Sequence, residues 1–247
     1  MKVTLAAACG FCYGVRRAVE LAGQAEKGTH TLGPIIHNPQ VVGRLAAHGV
    51  SPVDSLDDVD KGAVVLIRSH GVGPDVYEQA DQKELKVIDA TCPHVKKAQQ
   101  DAKNIVEKGE KLIIVGEKSH PEVISISQWG ANHAIIIDGE EEAEKIPFCD
   151  SMGVVVQTTF SQEQFKRIAA ILQRKTNHLD VHMTICTATQ QRQQAAIELA
   201  GHVDAMIVIA ARTAPTQVAS RRYAVNRIAR HTTSKQQPNW IRPGSVV

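Results

Sequence analysis

The stretch "KVIDATCPHVKKAQQDAKNIVEKG", residues 86–109, decides the fold. A β-branched apolar run leads into a short polar loop, and the loop leads into a segment of helical period that stops at Gly109. The same unit returns along the chain: "KVTLAAACGFCYGVRRAVELAGQA", "KLIIVGEKSHPEVISISQWG" and "GVVVQTTFSQEQFKRIAAILQRK". In the last of these Ser161 with Gln164 three residues on is a helix-start pattern. Strand and helix alternating in this way predict an α/β architecture with mostly parallel sheets. The polar stretches "SPVDSLDDVDKG" and "DGEEEAEKIPFCDSMG" read as surface connectors at lobe edges, and no strict repeat is visible.

Composition narrows the class. A chain of 247 residues, 43% apolar and 22% charged, can bury a substantial core. Its apolar runs fall short of the roughly 20 residues a spanning helix needs, and the start lacks the features of a secretory leader. A cytoplasmic protein with no membrane partner is expected. A formal charge of +2, without a Lys/Arg block before the tail, gives no case for nucleic acid. Five cysteines, an odd number scattered along the chain, argue for reduced thiols rather than a disulfide framework.

The unusual residues gather at one kind of place. Cys12, His70, Cys92, His120 with Glu122, Thr158 with Thr159, and Cys186 each follow an apolar run, in the loop at the carboxyl end of an expected strand. Ligands bind at that edge of open α/β sheets, beside helix amino termini that favour anions. Cys9, inside a strand-like run, and Cys149, in a connector, fall outside the pattern and read as structural. Cys12, Cys92 and Cys186, far apart in sequence, do not suit a zinc finger, whose ligands come in closely spaced pairs. They suit an iron–sulfur cluster held at a junction, with one iron lacking a cysteine and open to a substrate oxygen. A thiol enzyme, with Cys92 as nucleophile and His94 or His70 as base, and a plain binding domain fit the same set.

Seven ordered motifs carry a resemblance: "GFCYGVRRAVELA", "IIHNPQVV", "RSHGVGP", "DATCPHVKKAQ", "GEKSHPEV", "QTTFS" and "TICTATQQRQ". Together, from residue 1 to about 209, they resemble the LytB-type 4-hydroxy-3-methylbut-2-enyl diphosphate reductases, which catalyse the last step of the methylerythritol phosphate route to isoprenoids. The resemblance implies three α/β lobes in a trefoil: residues 13–92, residues 93–182, and an incomplete third lobe from residues 1–12 with 183–209. It implies a central [4Fe–4S] cluster on Cys12, Cys92 and Cys186. It places His37, His70 and His120 in the substrate cavity with a hydroxyl from Thr158 or Thr159, and makes Glu122 the proton-delivering acid. The implied reaction is reductive dehydroxylation of an allylic diphosphate to isopentenyl and dimethylallyl diphosphates, with ferredoxin or flavodoxin as electron donor. A non-catalytic relative that keeps the fold and the cluster is the competing reading.

The tail departs from the pattern. After the strand-like "AMIVI" the family continues with "GGKNSSNT", whose Ser-x-Asn group binds the diphosphate, whereas this chain has "AARTAPTQ" at residues 210–217. One base inserted after codon 209 lets residues 209–216 be read as I-G-G-K-N-S-S-N. Residues 210–247 are therefore expected to be out-of-frame translation.

Overall fold

The computed structural model describes residues 2–208. The expectation of an out-of-frame tail lies outside the described residues. The chain forms two four-stranded, wholly parallel sheets. The first joins β1 (His30–Leu32), β2 (Ser51–Val53), β3 (Val64–Ile67) and β4 (Lys86–Asp89) in the order β2-β1-β3-β4. The second joins β5 (Lys111–Val115), β6 (Ile135–Ile137), β7 (Cys149–Val156) and β8 (Thr176–His182) in the order β6-β5-β7-β8. Each sheet thus places its first strand beside its third, and the chain reverses its winding direction between them.

Parallel strands need crossovers, and helices supply them. They are α1 (Tyr13–Gln24), α2 (Pro39–Ala47), α3 (Pro74–Gln82), α4 (Pro93–Glu107), α5 (Pro121–Trp129), α6 (Glu140–Glu144), α7 (Gln162–Gln173) and α8 (Thr187–Ala200). Covered on both faces, the central strands are apolar without alternation: Val65, Leu66 and Ile67 in β3 and Leu112 to Val115 in β5 are all buried. Phe165 and Ile168 of α7 pack on one face of the second sheet with Val154 and Val156. Ile105 of α4 packs on the other with Leu112 and Val155. Gly153 permits that approach, because a Cβ there would meet Ile105 at 2.5 Å.

Helix boundaries follow local chemistry. Pro39, Pro74, Pro93 and Pro121 each occupy the first helical position, where a missing N–H is harmless. The Ser161 side chain accepts from Gln164 N–H, as its pattern predicts. Gly109, at φ +77°, ends α4 in the left-handed conformation that a side chain disfavours.

Three expectations need correction. Ser51–Val53 is a strand and Leu56–Asp58 a 3₁₀ turn, in a stretch read as a connector. The acidic connector at 138–153 carries α6, and its Cys149 opens β7. Conversely, the runs "KVTLAA" and "AMIV" form no strand among the described residues; Val3, Leu5 and Ile207 are 76%, 79% and 85% exposed. A strand needs a neighbour for its N–H and C=O groups, and neither run has one among the described residues. No described helix is long and apolar enough to cross a membrane.

Candidate functional site

The site residues come from the carboxyl ends of both sheets. In the first sheet, His37 follows β1 and His70 follows β3, the two strands on either side of the winding reversal. In the second, His120 and Glu122 follow β5, and Thr158 follows β7, again the two central strands. The edges meet: ring centroids of His37 and His70 are 4.4 Å apart, and His120 lies 5.4 Å from each. The two lobes are tied by hydrogen bonds behind these rings. Ser125 Oγ donates to the His70 carbonyl at 3.0 Å, and Trp129 Nε1 donates to the Val72 carbonyl at 2.9 Å.

The histidines are arranged as donors. His120 is the N-cap of α5, and its Nδ1 accepts from Glu122 N–H at 3.2 Å. An accepting Nδ1 leaves the proton of the neutral ring on Nε2. That nitrogen is buried without a partner, as are His37 Nε2 and His70 Nδ1. Burial, with the positive charge of Arg68 adding to it, holds all three rings below the ordinary imidazole range; His120 is brought down to about 4. Glu117 opposes this at His37. The buried His120 Nε2–H needs a hydrogen-bond acceptor, and His37 Nε2 and His70 Nδ1 beside it likewise lack a partner that a ligand could supply. The ligand nitrogens of the three rings lie within 4.8 Å of one another, so the trio also has the spacing of a metal site.

Glu122 sits beside this pocket and is almost wholly buried. Thr158 holds both its oxygens: the backbone N–H donates to Oε1 at 2.6 Å and the hydroxyl to Oε2 at 2.9 Å. Burial pushes the carboxyl up, and these two bonds pull it only partly back. A carboxyl raised in this way can hold a proton and release it. Thr158 is committed to Glu122, whereas the buried Thr159 hydroxyl has no partner.

The cysteines form a second constellation. Cys12, Cys92 and Cys186 are the N-cap residues of α1, α4 and α8, and all are free thiols. Partial positive charge at three helix amino termini therefore faces sulfur. Cys92 N–H donates to Ser69 O and Cys186 N–H to Thr158 O, each at 3.0 Å, so both extend their sheets by one rung. Burial pushes the Cys92 thiol up, the charges of Cys12 and Cys186 add to this, and the amides of His94 and Val95 oppose it. Cys12 and Cys186 each lie within electrostatic reach of Cys92. Gly14 completes the cradle, since a Cβ there would meet Cys92 Sγ at 2.6 Å. Cys9 is exposed, and Cys149 packs against the core of the second sheet, its thiol donating to the Ser151 carbonyl at 3.6 Å.

Two arginines within the quoted motifs have roles that the sequence did not disclose. Arg17 of α1 donates to the carbonyls of Asp89 and Thr91, clamping the Cys12 helix to the Cys92 loop. Arg192 of α8 donates to the Gly10 carbonyl at 2.8 Å, clamping the Cys186 helix to the Cys12 loop. Arg68, directly after β3, was also passed over. Its placement after a buried strand was the available signal.

Comparison with known proteins agrees with this geometry. A family model described as LytB protein matches residues 3–233, extending past residue 209, where the motif reading ends. A 4-hydroxy-3-methylbut-2-enyl diphosphate reductase from Alkaliphilus oremlandii is 42% identical over 214 residues, covering 85% of this chain and 76% of that protein. One of the same name from Pelobacter propionicus is 44% identical over 212 residues, 85% and 75% of the two chains. Among solved structures, the E-1-hydroxy-2-methyl-but-2-enyl-4-diphosphate reductase from Plasmodium falciparum superposes with a TM-score of 0.83 at 28% identity, over 88% of this chain and 71% of that one. An (E)-4-hydroxy-3-methyl-but-2-enyl diphosphate reductase, the terminal enzyme of the non-mevalonate pathway, gives 0.70 at 37% identity, over 91% and 82%. The chain belongs to the LytB protein family.

Proposed function

We propose that this chain is a 4-hydroxy-3-methylbut-2-enyl diphosphate reductase, removing the allylic hydroxyl with two electrons and two protons to give isopentenyl or dimethylallyl diphosphate and water. The relatives' names and the family match support the activity. The observation that carries the site is a buried Glu122, its carboxyl raised by burial, beside three imidazoles that each have a buried nitrogen without a partner. His37, His70 and His120 donate to the diphosphate, and the unpartnered Thr159 hydroxyl lies close by in sequence to the Thr158 that fixes Glu122. Glu122 delivers a proton to the departing hydroxyl, and Thr158 aims it. Burial of the pocket keeps bulk water from a reactive allylic fragment.

The donor set fits a [4Fe–4S] cluster: three free thiols on three helix amino termini, against a glycine that leaves sulfur its space. Cys12, Cys92 and Cys186 would hold it. When bound, the cluster supplies the electrons and, lacking a fourth cysteine, a Lewis-acidic iron facing the substrate. In the same proposal residues 13–92, residues 93–182, and residues 1–12 with 183–209 are three lobes around it, ferredoxin or flavodoxin is the electron donor, and the protein works in the cytoplasm.

A second reading, a relative that keeps fold and cysteines without turnover, is favoured by the exposed Val3, Leu5 and Ile207, which pair with no strand among the described residues. Anaerobic purification separates the readings from a thiol enzyme, and a turnover assay separates them from each other. Brown protein with iron and sulfide near about four each per chain, reducing the allylic diphosphate with a chemical electron donor, is expected. Colourless, iron-free protein refutes the cluster; brown protein without turnover selects the second reading.

A further inference from the structure

Arg68 is the first residue after β3, two positions before His70, and it lines a cleft of about 300 Å³ beside the histidine trio. Its guanidinium lies against Gly33, where a Cβ would meet Nη1 at 2.6 Å; Gly33 itself has φ +70°. Its Nε is buried without a partner, and among the described residues the Arg68 side chain makes no hydrogen bond or ion pair, while its carbonyl accepts from Gly71 N–H at 3.0 Å. Asp54 lines the same cleft without pairing to it. A half-buried, unpaired guanidinium is costly, and native proteins retain such a group where an anion completes it. Nearby, three imidazoles present unpartnered nitrogens.

We propose that Arg68 carries the positive charge of the diphosphate pocket, at the junction of cleft and histidine trio, so that the imidazoles bind the anion as neutral donors while Arg68 supplies the attraction. This rests on the reading of the trio as the diphosphate site. The charges that face this junction are Arg68 itself, Asp54 across the cleft, Glu117 near His37, and the buried Glu122 behind His120. Arg68 keeps its charge throughout the neutral range, and it also depresses the protonation of all three rings. Charge on the pocket therefore stays constant with pH in the native chain. Without Arg68 burial still keeps the imidazoles neutral near pH 7, so the pocket loses the cation that faces it.

The test is calorimetric titration of the anaerobically prepared holoprotein with inorganic pyrophosphate. The native chain, Arg68→Gln and Arg68→Lys are compared at one pH, so that ionisation of pyrophosphate cancels. Arg68→Gln should bind at least about ten-fold more weakly than the native chain. Arg68→Lys, which keeps the charge and loses the fork, should recover part of that deficit. Equal affinity of Arg68→Gln and the native chain overturns the proposal. A deficit that Arg68→Lys does not relieve overturns it too, since a purely structural defect has no reason to respond to restored charge. Failure of the native chain to bind pyrophosphate overturns the diphosphate reading and this proposal with it. If Arg68→Gln does not fold, the native chain answers alone: pyrophosphate should protect Arg68 from phenylglyoxal, and modification at an unchanged rate overturns the assignment.

Discussion

Replacing His120 by Asn separates two jobs that the native side chain performs. As N-cap of α5, its Nδ1 accepts the Glu122 N–H, and an Asn side-chain oxygen does the same at least as well. As an imidazole with a buried, unpartnered Nε2, it resists protonation. The folded chain holds it near about 4 against an ordinary value of 6.5, chiefly through burial and then through the charges of His37 and Arg68. As pH falls below 6.5 the unfolded chain takes up a proton at this residue and the folded chain does not. Stability is therefore full above 6.5, is lost as pH falls, and stops falling below about 4, where the folded ring also protonates. At roughly 1.36 kcal/mol per pH unit the displacement from 6.5 to about 4 corresponds to about 3 kcal/mol. Equilibrium urea unfolding, followed by far-ultraviolet circular dichroism from pH 7.5 to 4.5, measures it. The variant lacks this ring but keeps its cap, so the native chain should lose most of that 3 kcal/mol relative to His120→Asn across the range. Parallel stability profiles for the two proteins would refute the reasoning.

Serine at Cys12, Cys92 or Cys186 should abolish or damage the cluster's visible absorption, while serine at exposed Cys9 or at Cys149 leaves the spectrum unchanged; equal loss at all five positions is the contrary result. Glu122→Gln keeps the shape and both Thr158 contacts, because the amide can accept from Thr158 N–H and donate to its hydroxyl. It should retain pyrophosphate binding and lose roughly 10²–10⁴ in turnover, and undiminished turnover would move the proton source elsewhere. Gly14→Ala puts a Cβ at 2.6 Å from Cys92 Sγ, and either the helix or the sulfur must shift. A stability loss of about 1–3 kcal/mol with lowered iron content is expected, and native iron content at native stability would show that the cradle is slack.

The parallel sheets were legible because each buried strand is an unbroken β-branched run and each helix after it begins with a cap or a proline. One strand escaped. Ser51–Val53 carries a proline and too few apolar residues to be distinguished from a loop, and it pairs only because β1 offers its edge. Two apolar runs were read as strands and form none, since a strand is a property of its neighbour as much as of its own residues. The candidate site residues were picked out by type, and all but Cys12 stand where the pattern put them, after a strand. What joins them was not legible. Arg17 and Arg192 act through carbonyls distant in sequence, and the commitment of Thr158 to Glu122 spans 36 residues. Hydrogen-bond partners of that range leave no periodic trace.

No repeat is visible in the sequence, yet the two sheets share one strand order, and the correspondence explains why these residues and no others meet. The loops after the first strand of each sheet bear His37 and His120; those after the third bear His70 and Thr158; the fourth strand of each is followed by a helix capped by cysteine, Cys92 or Cys186. The backbone rung beneath each cysteine is the same, donated to Ser69 in one sheet and to Thr158 in the other. Core positions need only apolar bulk, so they drift freely and erase the likeness, whereas strand order and edge geometry persist. The chemistry then comes from where the two copies differ. In the first sheet Asn38 caps α2 and His37 precedes it, so His37 is free of capping. In the second the histidine is itself the cap, and this brings Glu122, at the second position of α5, against the threonine that stands where the first sheet has a histidine. One edge therefore offers two imidazoles, and the other converts the same geometry into one imidazole and a buried acid.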